Sequence, residues 1–173
     1  MKKILDIKFL FILSLIVVAI LSRLIGIIPN FSPIAAIALF GAAYFANKRD
    51  AFIVPILAMF ISDLFIGLHP AMWAVYISFA LTVFIGFNLR KRQTVMRIIA
   101  SSLLSSVLFF IITNFAHFLF YFPHTFQGLI QCYIDAIPFF RNTLLGDLMY
   151  CGVLFGSYYL ASLKIKELKF QSV

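Results

Sequence analysis

The sequence contains six apolar runs separated by short polar breaks, and this pattern constrains the fold more than any other feature. The hydrocarbon core of a bilayer is ~30 Å thick and takes about 20 helical residues. Only 12% of the residues are charged, against roughly 25% in a soluble domain. We therefore expect an all-α membrane protein, with six transmembrane helices in one bundle and a single domain over residues 1–173. The expected spans are 9–28, 33–46, 51–68, 71–87, 98–122 and 143–163.

The distribution of basic residues predicts how these spans are oriented. Twelve of the 14 lysines and arginines fall at the N-terminus, between spans two and three, between spans four and five, and after span six. All these segments lie on one side of a six-span chain, and such basic segments stay in the cytoplasm, so both termini are expected to be cytoplasmic. Orientation and contact with anionic lipid then explain the net charge of +8, and no nucleic acid is expected as a partner.

The connection between spans five and six is long enough to hold a helix of its own. Its apolar residues recur at helical spacing between Leu129 and Ile137. We expect residues 127–137 to form a short amphipathic helix that lies across the outer mouth as a mobile lid and ends at Pro138.

Span six carries Gly152 and Gly156 in a GxxxG pattern. Small residues at this spacing let helices approach closely in lipid. Packing within the bundle is the preferred interpretation, and docking to another membrane subunit is the alternative.

Polar side chains concentrate in the outer halves of the spans and in the adjoining loops. An ionisable group in hydrocarbon costs at least roughly 2.5 to 3.5 kcal/mol, so it is kept mainly where it has a partner or a task. Asn114, His117 and Tyr121 share one face of span five, because they stand at i, i+3 and i+7. The predicted ligand-binding residues are Arg23, Asp63, His69, Asn114, His117, Tyr121, Arg141 and Asp147.

With 22 phenylalanines and seven tyrosines in the chain, these polar groups are expected to line an aromatic-rich pocket that opens outward, as small-molecule sites do. Asp147 is expected one helical turn below the outer surface, facing span five, with Arg23 or Arg141 as its counter-charge. In the alternative interpretation, the charged residues only pair with one another and hold the outer ends of the helices together.

Catalytic signatures are missing from the sequence. It contains no HExxH, no GxSxG elbow and no GxxxxGK[ST] phosphate loop. The spacing of Cys132 and Cys151 suggests neither a metal site nor a disulfide framework. We expect no enzymatic activity, cofactor or metal. Two other hypotheses stay open: a structural membrane scaffold, and an intramembrane enzyme that uses Asp63, Asp147 and His117 as acid-base groups.

Three segments carry a resemblance to a known class of proteins: "PNFSPIAAIALFGAAYF", "SDLFIGLH" and "AIPFFRNTLLGDLMYCGVLFG". Together with six short spans they resemble an uncharacterised bacterial family that is similar to the substrate-binding S components of energy-coupling factor (ECF) vitamin transporters. The resemblance implies a multi-pass protein of the bacterial cytoplasmic membrane that captures a vitamin-like molecule from outside. It also implies a shared transmembrane coupling subunit and two ATPases as partners.

This chain departs from that class in the surface that docks the shared coupling subunit. S components commonly carry an alanine-x-x-x-alanine patch on the first helix, whereas this chain offers Ser14, Ala19 and Ser22. Solitary cobalamin importers, which resemble this chain in size, also lack the patch and place a cobalt-ligating cysteine in the region of the third loop. His69 stands there in this chain, so the resemblance implies a corrinoid as the first guess at a ligand.

Overall fold

The protein is described by a computed structural model that covers residues 2–164, with side chains for residues 10–163. The described part of the chain is all-helical, with six helices and no strand. The helices are α1 (Lys2–Ile25), α2 (Ile34–Tyr44), α3 (Lys48–Ile66), α4 (Met72–Phe87), α5 (Val95–Tyr121) and α6 (Phe126–Lys164). The expected helical content of all six apolar runs is therefore confirmed.

Length and apolar character differ among the helices. The segments Val95–Tyr121 and Phe126–Leu163 are long and apolar enough to cross a membrane. By contrast, α2 has 11 residues, which corresponds to about 16 Å at a rise of ~1.5 Å per residue. The fold alone thus provides two candidate membrane spans in the described residues, and a short helix where the second span was expected.

The short helix α2 forms the centre of the bundle. Every residue from Ile34 to Ala43 is buried, and α2 contacts α3, α4, α5 and α6. Its alanines and Gly41 keep it thin. On the facing helix, a Cβ added to Gly86 would lie 2.6 Å from the Ala42 Cβ and 3.1 Å from the Leu39 Cα. The contact between α2 and α4 therefore depends on a glycine at position 86.

An arginine holds the C-terminal end of α2. Arg90 donates from Nε to the Ala42 carbonyl and from Nη2 to the Phe45 carbonyl, both at 2.7 Å. These carbonyls belong to the last turn of a helix, where no backbone partner is available. Arg90 thus serves as the C-terminal cap of α2 and ties it to the segment that follows α4.

The predicted separate helix over 127–137 is wrong, because α6 is a single helix that continues through Pro138. A proline removes one backbone donor, and in an apolar bundle neighbouring helices can compensate for it. Here two α6 side chains tie the segment before Pro138 to α5: the Tyr133 hydroxyl donates to the Ile111 carbonyl at 2.7 Å, and the Cys132 thiol to the Asn114 carbonyl at 3.4 Å. Residues 127–137 therefore form a wall against α5, where a lid had been expected.

The preferred interpretation of the GxxxG pattern is also wrong. A Cβ added at Gly152 or Gly156 would meet no atom within 4 Å, so neither glycine is a close helix contact within the bundle. The buried face of this half of α6 carries Asp147, Cys151 and Phe155 instead, which follow one another at i, i+4 and i+8. Gly152 is exposed and Gly156 is half-buried, and with no atom near either Cβ position both lie on an open face of α6.

These two environments allow a matched test of the packing. Gly86→Ala should destabilise the protein by about 1 to 3 kcal/mol, because the added methyl meets Ala42 and the α2 backbone. Gly152→Ala should leave stability unchanged or raise it by about 0.5 to 1 kcal/mol, because alanine is the better helix former. Thermal unfolding of both purified variants in the same detergent measures the difference. Equal stability of Gly86→Ala and the parent would contradict the proposed α2–α4 contact.

Candidate functional site

A cavity of about 670 Å³ opens at one end of the bundle. Its lining includes the loops from α1 to α2, from α3 to α4 and the end of α5, so we name this the cavity end. The volume lies within the roughly 300 to 1,000 Å³ of small-molecule sites. Apolar walls come from Phe31, Val75, Phe79, Phe109, Phe110, Phe122, Phe139 and Phe140, among others.

Two glycines end helices where the cavity opens. Gly26 has φ +47° and its N–H bonds to the Ser22 carbonyl at 3.2 Å, while Gly67 has φ +112° and its N–H bonds to the Asp63 carbonyl at 2.9 Å. Positive φ is accessible to glycine at little cost, which makes it the usual residue just after a helix. After these turns the chain continues into the α1–α2 and α3–α4 loops, which form part of the rim of the cavity.

Most of the residues predicted from the sequence lie around this cavity. Six line it: Arg23, His69, Asn114, His117, Tyr121 and Asp147. Asp63 lies directly behind Arg23, to which it is bonded. Arg141 is exposed and does not line the cavity, since it falls on a different face of α6 from Asp135, Phe139 and Asp147.

Arg23 and Asp63 form an ion pair, with 2.6 Å between Nη1 and Oδ1. The same Nη1 contacts the Ser62 hydroxyl and, at 3.2 Å, the Met59 carbonyl. The Tyr76 hydroxyl donates to the second oxygen of Asp63 at 2.7 Å. Both carboxylate oxygens are therefore occupied by protein donors. Asp63, which is 1% exposed, fixes Arg23 in the wall and links α1, α3 and α4.

Asp147 has a different environment from the one expected. The Ser106 hydroxyl donates to its Oδ2 at 2.7 Å, and the only ion pair in the described part of the chain is that of Arg23 with Asp63. The expected counter-charge from Arg23 or Arg141 is therefore wrong: Arg23 already pairs with Asp63, and the exposed Arg141 forms no ion pair with any described residue. Asp147 is 4% exposed and borders the cavity.

The position of Asp147 along its helix also differs from the expected one. Because α6 begins at Phe126, Asp147 lies nearly six turns into the helix, at about 3.6 residues per turn, and not one turn from its start. Its partner Ser106 lies near the middle of α5. Asp147 therefore belongs to the floor of the cavity, whereas Asn114 and His117 belong to its upper wall.

The upper wall on α5 is aromatic and polar. The His117 and Tyr121 rings lie 4.5 Å apart, centroid to centroid, and the Asn114 side-chain amide donates to the Phe110 carbonyl at 2.7 Å. His117, Tyr121 and His69 are all exposed. These side chains are therefore open to contact with a molecule that enters the cavity.

Sequence reasoning missed Asp135 and most of the aromatic wall. Cys132, Ala136, Phe139, Thr143 and Asp147 all line the cavity, and they follow one another at intervals of three or four residues, as on one face of a single helix. This pattern runs straight through Pro138. Had it been weighed against the proline, it would have indicated a continuous helix with one lining face.

The described residues contain no group of three or more His, Cys, Asp or Glu side chains that could hold a metal ion. The polar groups are instead spread over a large apolar surface, and only Asp147 is a buried acid on the cavity floor. Such an arrangement suits recognition of an organic molecule, in which apolar walls supply contact and a few polar groups orient the ligand.

Fold and cavity together define an all-helical bundle with two helices of membrane-spanning length and a lined cavity at one end. The chain belongs to a family of unknown function, DUF6580, whose family model matches residues 3–168. No curated protein and no solved structure matches the chain.

The ion pair behind the cavity wall gives a stability prediction. Asp63→Asn should destabilise the protein by about 3 to 5 kcal/mol, because it leaves the Arg23 guanidinium without its counter-charge in a largely apolar wall. Tyr76→Phe removes one hydrogen bond and should cost about 1.5 to 3 kcal/mol, since that bond is to a charged group. Asp135→Asn, an exposed aspartate near the mouth, is the matched control and should unfold like the parent. A smaller loss for Asp63→Asn than for Tyr76→Phe would contradict the role assigned to the pair.

Proposed function

We propose that this protein is a membrane-embedded binding and uptake protein for a vitamin-like small molecule, comparable to the S component of an ECF-type transporter. The observation that carries the proposal is the cavity, which is large enough for such a molecule and lined by aromatic rings and a few polar side chains. Ligand enters from the outer side of the membrane and is held by the outer halves of the helices.

The proposed topology has six membrane crossings with both termini in the cytoplasm of a bacterial cell, in its cytoplasmic membrane. The cavity end and the basic loops support this arrangement, because they occupy opposite ends of the bundle: residues 47–49 and 90–97 hold six of the basic residues, and neither segment lines the cavity. The short helix α2 is compatible with this topology, because its residues from Ile34 to Ala43 are buried within the protein. At membrane depth, non-helical backbone is tolerated where other helices cover it.

A shared coupling subunit with ATPases is proposed as the partner. The resemblance to S components supports this proposal, as does the open glycine face of α6, which offers a helix of another subunit close approach at Gly152 and Gly156. Anionic lipid at the basic end is the other partner, and no nucleic acid is involved. A corrinoid stays the ligand that the sequence resemblance implies through His69, which lies in the cavity lining.

The topology can be tested by labelling single cysteines. In a Cys132→Ala/Cys151→Ala background, Leu68→Cys in the exposed α3–α4 loop should react with a membrane-impermeant maleimide added to intact cells. Arg92→Cys, in the exposed α4–α5 loop, should react only after the membrane is permeabilised. Labelling of Arg92→Cys from outside would overturn the orientation and place the cavity on the cytoplasmic side.

Uptake itself can be tested by filling the cavity. Ala136 is buried in the cavity wall, whereas Ala100 is exposed on α5. Cells that express the parent or Ala100→Trp should deplete at least one small molecule from a defined vitamin mixture, and cells that express Ala136→Trp should not, because the indole occupies the cavity. Mass spectrometry of the medium measures the depletion. Equal depletion by both tryptophan variants, at equal membrane levels, would exclude the cavity as the uptake site.

A further inference from the structure

The charges around the cavity do not balance. Among the described residues, Arg23 is the only lysine or arginine in the lining, and its charge is matched by Asp63. Two further aspartates, Asp135 and Asp147, line the same cavity, and neither has an ion-pair partner in the described part of the chain. Asp135 is bonded to the Gln131 amide at 2.7 Å. His69, His117, Tyr121 and Cys132 complete the titratable groups of the lining among the described residues.

The imbalance is greatest at the floor. Asp147 is 4% exposed, and the only donor to its carboxyl among the described side chains is the neutral Ser106 hydroxyl. A hydroxyl compensates poorly for the lost hydration of a carboxylate in apolar surroundings. Oδ2 has this one partner, and no described residue donates to Oδ1. A positive charge brought into the cavity would favour the ionised form of this carboxyl and pair with it, because no described residue supplies a cation there.

The walls favour one kind of cation. Phe79, Phe109, Phe110, Phe139 and Phe140 line the same cavity as the polar groups, and the Phe110 and Phe140 rings pack on each other with their centroids 4.4 Å apart. Aromatic faces attract organic cations, and cages of such rings recognise quaternary ammonium groups. An inorganic ion would instead require several oxygen ligands, and the described residues provide no acidic or histidine cluster for one.

We propose that the ligand of this cavity is an organic cation, whose positively charged group lies between the aromatic walls and opposes Asp147, with Asp135 attracting it at the mouth. The cavity volume of about 670 Å³ leaves room for an apolar or aromatic body attached to that group. Arg23 keeps donors that Asp63 does not use, and these bind an acceptor atom elsewhere on the ligand. This inference rests on the proposed function, and it takes an organic cation as the ligand in place of the corrinoid that the sequence resemblance implies.

The test compares two thiol reagents of opposite charge. Thr113 lines the cavity on α5, and Thr113→Cys in the Cys132→Ala/Cys151→Ala background places a reporter there. The probes are 2-(trimethylammonium)ethyl methanethiosulfonate, itself an organic cation, and the anionic 2-sulfonatoethyl methanethiosulfonate. Leu68→Cys, exposed outside the cavity, corrects for their intrinsic reactivity. The cation-to-anion rate ratio at Thr113→Cys should exceed that at Leu68→Cys about tenfold, because a cleft of one charge sign concentrates counter-ions.

Neutralising variants assign the effect to the two aspartates. Asp147→Asn and Asp135→Asn should each lower the rate ratio at Thr113→Cys severalfold, and the double variant should bring it to that of Leu68→Cys. Because Asp135 is exposed, its variant reports even if Asp147→Asn folds poorly. Asp50→Asn is the matched control: Asp50 lies at the start of α3, outside the cavity lining, and its variant should keep the parental ratio.

Three results would overturn the inference. A ratio at Thr113→Cys equal to or below that at Leu68→Cys means that the cavity does not favour cations. Reaction of Thr113→Cys with either reagent would still show that the cavity is accessible, and the proposed function would then stand. A raised ratio that neither aspartate variant lowers means that the charge arises elsewhere. A cysteine at position 113 that reacts with neither reagent means that the cavity is closed, and both the inference and the proposed function then fail.

Discussion

The ion pair between Arg23 and Asp63 is the interaction on which the cavity depends. Helix α1 packs chiefly against α3, so a charged group near the C-terminal end of α1 needs a partner on α3. Asp63 supplies it at 2.6 Å and is in turn bound by the Tyr76 hydroxyl of α4 at 2.7 Å. Because breaking a buried pair is costly, the pair keeps the end of α1 against the bundle. It also removes Asp63 from ligand contact and leaves Arg23 as the group that faces the cavity.

Hydropathy and spacing predicted that each of the six apolar runs is helical and at which end the polar residues gather, because both depend on neighbours along the chain. They did not predict which charges pair. Arg23 selects Asp63 over Asp147 through the packing of α1 on α3, and sequence distance carries no information about that choice. The 22 phenylalanines pose a similar problem, since in an apolar chain a ring that lines a cavity and a ring that faces outward look the same. Pro138 was wrongly expected to end a helix that is bonded to α5 both before it, at Tyr133, and after it, at Asp147.

The lined cavity, and an Asp147 with no cation beside it, favour the proposed function over the two other hypotheses. A structural scaffold needs packed helices and gains nothing from a lined cavity that leaves Asp147 without a cation. The enzyme hypothesis uses Asp63, Asp147 and His117 as acid-base groups, but both carboxylate oxygens of Asp63 are bound by Arg23 and Tyr76, and His117 lies in the upper wall while Asp147 lies on the floor. A binding site requires only the arrangement described, in which walls, mouth and floor contact different parts of one molecule.

The central claim is that a small molecule occupies the cavity, and native mass spectrometry of the purified protein tests it most directly. The parent protein, released gently from detergent or nanodiscs, should show a second species heavier by the mass of one bound small molecule. The same species should appear for Ala100→Trp and disappear for Ala136→Trp, whose indole extends from the wall and fills the cavity. A parent spectrum with only the mass of the bare chain and lipid adducts, or a bound molecule that survives Ala136→Trp in a folded protein, would contradict the account.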